Sequence, residues 1–418
     1  MNVVRIASCA ATLFALAATL GANAQDTTCG KNHYILGYAV SPWTATGSLN
    51  VPRSGHTATL LPDGRVLVAG GRSTSNTGVD TLDSAEIYDA VTGLWTVTGT
   101  LGKPRVGHAA MLLPSGKLLV AGGEVVTWVM GGTFRRELVG TAELYDPDTG
   151  TWTPTGNLNI PRSSFAAMVL TTGQVLIAGG FEKGFGPTHY AELYDPSTET
   201  WSFTGNLVTY RSDHTATPLE DGRILVTGGY DGDLFQTGTF EAELYDPIAG
   251  TWSSAAALTL GRASHTATSL QDGKVLIAGG YREAPDRIPG SPGFGYKTTS
   301  LDQAEIFDPV TGTWQIVGNL NEARDSHTAT LLPDGKVLVV GGYDNNARLS
   351  VSGTELYDPA AATWLVVASL GSARYGHTAT LLPDGTVLVA GGRSYGPSGD
   401  VTLGSAELYA APSSDDCE

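Results

Sequence analysis

The strongest constraint on this chain is a nineteen-residue segment that it repeats. Arg53-Ser54-Gly55-His56-Thr57-Ala58-Thr59-Leu60-Leu61-Pro62-Asp63-Gly64-Arg65-Val66-Leu67-Val68-Ala69-Gly70-Gly71 returns in near copies that begin at Arg105, Arg162, Arg211, Arg262, Arg324 and Arg374. A Glu-x-aromatic element follows each copy, at Glu86, Glu143, Glu192, Glu243, Glu305, Glu355 and Glu407. Six copies then carry a Trp, at Trp95, Trp152, Trp201, Trp252, Trp314 and Trp364. The Arg positions stand 49 to 62 residues apart. Units of that size cannot bury their own apolar faces and have to stack on one another.

Each copy reads as four short strands. His-Thr-Ala-Thr-Leu-Leu alternates small polar and apolar residues, as a strand crowded near an axis requires. Asp-Gly or a similar pair marks a tight hairpin. Val-Leu-Val-Ala is a continuous apolar run that ends at Gly-Gly, where backbones approach closely. Ala-Glu-Leu-Tyr-Asp forms a third strand, turned into a Trp-bearing fourth. The 54 glycines and the charged fraction of only 16% fit turn-rich β structure better than long helices.

This pattern resembles the kelch motif over residues 43 to 409, and it is similar to the propeller domain of galactose oxidase. The resemblance implies an all-β, seven-bladed kelch-type β-propeller. The seventh copy stops after Tyr409 with no Trp strand, while Trp43-Thr44-Ala45-Thr46-Gly47-Ser48-Leu49 matches the fourth strands that begin at Trp152 and Trp201. The N-terminal strand is therefore expected to complete the last blade. That closure carries Cys29 and Cys417 to one edge of that blade and predicts a disulfide between them. Cys9 belongs to a predicted secretory signal peptide over 1–24, with Arg5, an apolar run and Ala22-Asn23-Ala24 ahead of the cut. The run is too short to span a bilayer. Residues 25–42 read as an N-terminal arm and 410–418 as a C-terminal tail, giving a secreted or periplasmic protein, monomeric, cleaved near Ala24.

Alternating strands place the tight turns on one face, and the second-to-third loops with the blade-to-blade connections on the other. Between the second Gly and the Glu lie 14, 19, 11, 13, 24, 12 and 14 residues. Variable loops over a fixed frame are where function concentrates. The longest two carry Trp128, Phe134, Arg135 and Arg136, and Arg282, Arg287, Phe294 and Tyr296. Aromatic side chains beside arginines suit sugar stacking or a protein hot spot, and equally suit packing within the loop.

The repeat arginines open two readings. Seven guanidiniums around a funnel would hold carboxylates, with Arg211 and Arg324 at its mouth; or each pairs with a repeat Glu of the neighbouring blade, as the equal numbers favour. A ring of six histidines, from His56 to His377, invites a metal, but repeat positions diverge around a ring, and Phe165 fills the same slot, which marks a packing position. The copper–radical site of galactose oxidase-like enzymes needs a cysteine, and none stands between residues 30 and 416. No cofactor is expected. The net charge of −17 argues against nucleic acid, and no segment is expected to insert in a membrane. The sequence favours a binding scaffold for a glycan or a protein over an enzyme. The alternative is a metal-independent carbohydrate-active enzyme, a mutarotase or epimerase using the mouth arginines, as a similarity to kelch-type sialic acid mutarotases would imply.

Overall fold

The Val-Leu-Val-Ala runs are buried at every residue in all seven copies. A strand apolar on both faces has to lie inside a sheet that is itself covered on both faces. Each copy builds such a sheet, four antiparallel strands in the order inner, second, third, outer. The seventh sheet takes its outer strand from the other end of the repeats: Trp43–Thr46 pairs with Ala406–Tyr409, Trp43 opposite Tyr409 and Ala45 opposite Glu407. The expected strand exchange is present.

A computed structural model describes residues 34–35, 38–39, 41–75, 78–129, 133–184, 186–232, 238–287, 294–397 and 399–411. Ser41–Pro412 is one compact unit that holds all the repeats. Residues Met1–Val40 with Ser413–Glu418 form another, in which Tyr34–Ile35 pairs with Tyr38–Ala39. The expected signal peptide and the Cys29–Cys417 pairing lie outside the described residues. Among those described, no helix is long and apolar enough to cross a membrane.

Inside the repeat unit, consecutive inner strands lie side by side, and the seventh adjoins the first. Seven apolar clusters fill the seams between sheets, for example Val66, Val68 and Tyr88 against Leu382, Leu388 and Ala390. Polar bonds stitch the same seams. The Trp95 indole donates to the Gly47 carbonyl at 2.8 Å and the Trp43 indole to Ala368 at 2.8 Å. Tyr88 shares a hydrogen bond with Thr46 at 2.7 Å, and Tyr194 with Thr155 at 2.7 Å. The Gly-Gly pair is sterically required. A Cβ on Gly70 would stand 2.6 Å from the Arg105 carbonyl, and φ is positive at both Gly70 and Gly71.

Candidate functional site

The repeat arginines belong to the frame. All seven are fully buried. Arg211 donates to the Gly228 and Glu241 carbonyls and to Glu243 at 2.6 Å, and Arg324 to Gly341, Gly353 and Glu355 at 2.8 Å. The Glu partner in every copy comes from the Arg's own repeat rather than a neighbouring one. Arg and Glu thus brace the loop between the second and third strands of one sheet. Arg211 and Arg324 do not reach the funnel, because their guanidiniums point into that brace.

The histidines bind blade to blade. His108 Nε2 bonds Thr57 at 3.0 Å, His377 bonds Thr328 at 3.0 Å and His56 bonds Thr378 at 3.0 Å, each reaching the inner strand of the blade before it. Burial holds the imidazoles of His108, His214 and His377 down at about 3. The exceptions follow the partner. Ala109 stands where Thr57 does, and the next blade has Phe165 in place of the histidine; Ala166 in turn offers no hydroxyl, and His214 Nε2 is left without a partner. These are packing positions, as Phe165 suggests.

Next to this frame lies a pair of positions that changes from blade to blade. The residue after each Arg bridges the residue after each Gly-Gly: Ser54 with Arg72, Val106 with Glu124, Ser163 with Phe181, Ser212 with Tyr230, Ala263 with Tyr281, Asp325 with Tyr343, and Tyr375 with Arg393. The next residue inward is left-handed in every copy, at Gly55, Gly107, Ser164, Asp213, Ser264, Ser326 and Gly376. Their amides chain around the axis: Asp213 N–H donates to the Ser164 carbonyl at 3.1 Å, Ser264 to Asp213 at 3.0 Å, Ser326 to Ser264 at 3.1 Å and Gly55 to Gly376 at 2.9 Å.

Above this ring the long loops are β-hairpins rather than irregular excursions. Those of the first and second blades, Arg72–Ser75 with Gly78–Thr81 and Glu124–Val129 with Thr133–Leu138, join in one sheet. Thr74 bonds Thr402 of the seventh-blade hairpin at 2.8 Å, and Tyr395 N–H donates to Ser350 of the sixth at 2.7 Å. Asn346 reaches the Ser300 carbonyl of the fifth at 3.0 Å. A collar therefore runs from the second blade through the first, seventh and sixth to the fifth. The loops of the third and fourth blades add no strand among the described residues.

Phe134, Arg135 and Arg136 stand exposed at one end of the collar, where Arg136 pairs with Glu124. Arg282 is exposed at the other end. The side chains of Trp128, Arg287, Phe294 and Tyr296 lie outside the described residues.

Between the fifth, sixth and seventh blades lies a cleft of about 410 Å³, lined by Tyr281, Glu283, Thr298, Asp325, Ser326, Tyr343, Asn345, Tyr375, Tyr395 and Asp400. Asp325 accepts from the Ser300 hydroxyl at 2.7 Å, the Asn345 amide at 2.6 Å and the Ser326 hydroxyl at 3.0 Å. Burial outweighs these donors and raises its carboxyl to about 6. Burial likewise raises Asp213 to about 6 and pushes up the Tyr281 phenol. Sequence reasoning missed Asp325, Tyr343 and Tyr375. Their signal was there, in departures from the repeat at the two positions flanking Arg and Gly-Gly.

The Kelch motif matches residues 221–259, 262–321 and 326–371. Kelch-like protein 23 of Mus musculus is 27% identical over 264 residues, which cover 63% of this chain and 41% of that protein. Kelch-like protein 28 of Mus musculus is 34% identical over 101 residues, 24% of this chain and 17% of that one. The chain thus spans well under half the length of these curated relatives. Among solved structures, a fungal alcohol oxidase of the AA5 family in complex with copper superposes at TM-score 0.67 and 20% identity, covering 90% of this chain and 78% of its own. YjhT superposes at TM-score 0.56 and 16% identity, covering 77% and 99%. The residues here do not fit the copper of that oxidase. The six repeat histidines are spent in the seams, His189 packs against Tyr190 and Tyr210, and no three His, Cys, Asp or Glu converge among the described residues.

Proposed function

This chain belongs to the kelch-repeat β-propellers, and on that premise we propose that it is a binding scaffold taking a protein or glycan ligand at its collared face. Kelch propellers commonly mediate protein binding. The observation that carries the reading is the division of labour within each repeat. Arg, Glu, His, Trp and Gly-Gly are all consumed by the frame, while the positions between them change from blade to blade and line a polar, aromatic mouth. Such walls of tyrosine with few convergent polar groups are how binding clefts obtain contact area at low entropic cost. Export with a Cys29–Cys417 bridge is part of the same proposal. N-terminal sequencing and mass mapping with and without reductant test it; two free thiols would sink the pairing.

The scaffold reading is tested by probing immobilised protein with a glycan array and a peptide library. Tyr343→Ala and Tyr375→Ala should abolish the hits, while Val310→Asp on the opposite turns should spare them. Hits that survive both tyrosine substitutions overturn it. A metal-independent carbohydrate-active enzyme is favoured by one observation, an Asp325 carboxyl near neutrality inside the cleft. Sugar-anomer NMR tests that alternative.

A further inference from the structure

The cleft between the fifth, sixth and seventh blades is acidic in a way the fold does not balance. Of its three carboxylates, Asp400 is taken by Arg393. Among the described residues Glu283 accepts only the Thr298 hydroxyl, at 3.0 Å, and Asp325 only hydroxyl and amide donors. No Lys or Arg lines the cleft among the described residues. A buried carboxylate without a cation is normally paired or functional.

Aromatic faces complete the picture. The rings of Tyr343 and Tyr375 lie 5.3 Å apart, and those of Tyr343 and Tyr395 6.2 Å apart. A cation within about 6 Å of a ring centroid is drawn to its face, the more so when partly desolvated. Arg72 makes no ion pair among the described residues, with Glu124 near it, and both it and Arg393 act on Tyr375 at the seventh-blade side of the cleft. The arginines thus stand toward the first and seventh blades, and the unpaired carboxyls toward the fifth and sixth. The chain's net charge of −17 draws in the same class of ligand over longer range.

We infer that this cleft takes a basic side chain, a lysine ammonium or an arginine guanidinium, presented by a protein partner. The inference rests on the scaffold reading and deepens it. The cation's head group sits against Asp325 and Glu283, and its stem lies along Tyr343 and Tyr375. A cleft of about 410 Å³ exceeds one such side chain, so the neighbouring partner residues are accommodated too.

Ionisation supplies a control. With no cation present Asp325 takes a proton near pH 6. The groups around it are Ser300, Ser326, Asn345, Asp344, Glu283, Tyr281 and Tyr343, with the exposed Arg348 acting on Tyr343 from the sixth-blade turn. A cation needs the ionised form, so affinity falls below pH 6, roughly tenfold by pH 5, as the competent fraction falls.

The test uses the full chain and calorimetric titration with acetyl-Gly-Arg-Gly-Arg-Gly-amide, its lysine analogue, its citrulline analogue and its glutamate analogue. The arginine and lysine peptides are expected to bind. The citrulline peptide, of equal shape and no charge, should bind about tenfold or more weakly, and the glutamate peptide not at all. Asp325→Asn and Glu283→Gln should each weaken the arginine peptide, and raised salt should do the same. Glu283 lies on a hairpin outside the ring frame, so its variant reads binding even if the Asp325 variant folds poorly. Equal binding of the citrulline peptide, or no binding of either basic peptide at millimolar concentration, overturns the inference. If library ligands lost in Tyr343→Ala then prove neutral or acidic, the scaffold reading stands without it. If no mouth-dependent ligand exists, both fall.

Discussion

Replacing one repeat arginine measures whether these residues hold the fold or the ligand. In the third blade Arg162 donates to the Ile160, Gly179 and Tyr190 carbonyls and to Glu192 at 2.7 Å, with both side chains wholly shielded from water. Arg162→Met leaves Glu192 with three N–H donors, the Asn159 amide, the Asn159 side chain and the Ile160 amide, but no cation. Breaking a buried pair by removing one partner costs about 3–5 kcal/mol. At about 2.1 cal/mol/K per residue, a unit of roughly 370 residues should lose about 4–6 °C in Tm. Guanidinium unfolding followed by tryptophan fluorescence reads the free energy directly. Arg65→Met is the control, since its pairing with Asp63 is open to solvent and worth less than about 1 kcal/mol. The double variant Arg162→Met/Glu192→Leu should recover part of the loss. If Arg162→Met matches the control in stability yet abolishes ligand binding, the arginine is a ligand group and the bracing argument is wrong.

Three further outcomes follow from the same contacts. The buried histidines are held neutral, with pKa values of about 3 where resolved against 6.5 unfolded, so the unfolded chain takes up protons first. Stability is complete above pH 6.5 and falls below it, by about 2 kcal/mol per histidine at pH 5; acid titration of the unfolding free energy checks this, and a flat profile from pH 7 to 5 refutes it. Asp325 has the opposite sign: its raised pKa means the native state holds the extra proton, so Asp325 costs on the order of 3 kcal/mol above pH 6 and nothing below pH 4. Asp325→Asn, with the Ser326 hydroxyl turned to accept, should therefore raise Tm at pH 7.5 and leave it unchanged at pH 4. Trp43→Ala should cost about 3–5 kcal/mol and speed amide exchange in the seventh blade first, because Trp43 both fills the seam to the sixth blade and ties it through Ala368; uniform exchange across all blades would count against this closure.

The frame was legible because it is written seven times. Period, turn dipeptides and the displaced Trp43 strand sufficed to place every sheet and its closing strand, since each repeat position has one steric job. The arginine brace was legible only in part: equal numbers of Arg and Glu pointed to pairing, but which repeat supplies the Glu depends on how the third strand folds back. The cleft was illegible for a related reason. Its residues come from three different blades, and Asp325 or Tyr375 looks in sequence like a substitution inside a well-kept motif. The long loops stand out in sequence for their arginines and aromatics, whereas what the fifth-blade loop gives the cleft is Tyr281, Glu283 and Thr298.

The axial ring separates frame from function more sharply than the walls do. Gly55 and Gly376 donate along the chain of amides, and Gly107 accepts in it, with no side chain at all. A non-glycine residue in the left-handed region costs roughly 1–2 kcal/mol. Ser164, Asp213, Ser264 and Ser326 all accept that cost, at φ of 50° to 53°, on four consecutive blades. Two of the four give hydroxyls to raised carboxyls, Ser164 to Asp213 and Ser326 to Asp325. Strain that the frame does not require, placed beneath the tyrosines and carboxylates of the mouth, is what a site under functional demand leaves in a backbone. Ser326 of the sixth blade lines the cleft itself, and Tyr375 and Tyr395 of the seventh complete its wall.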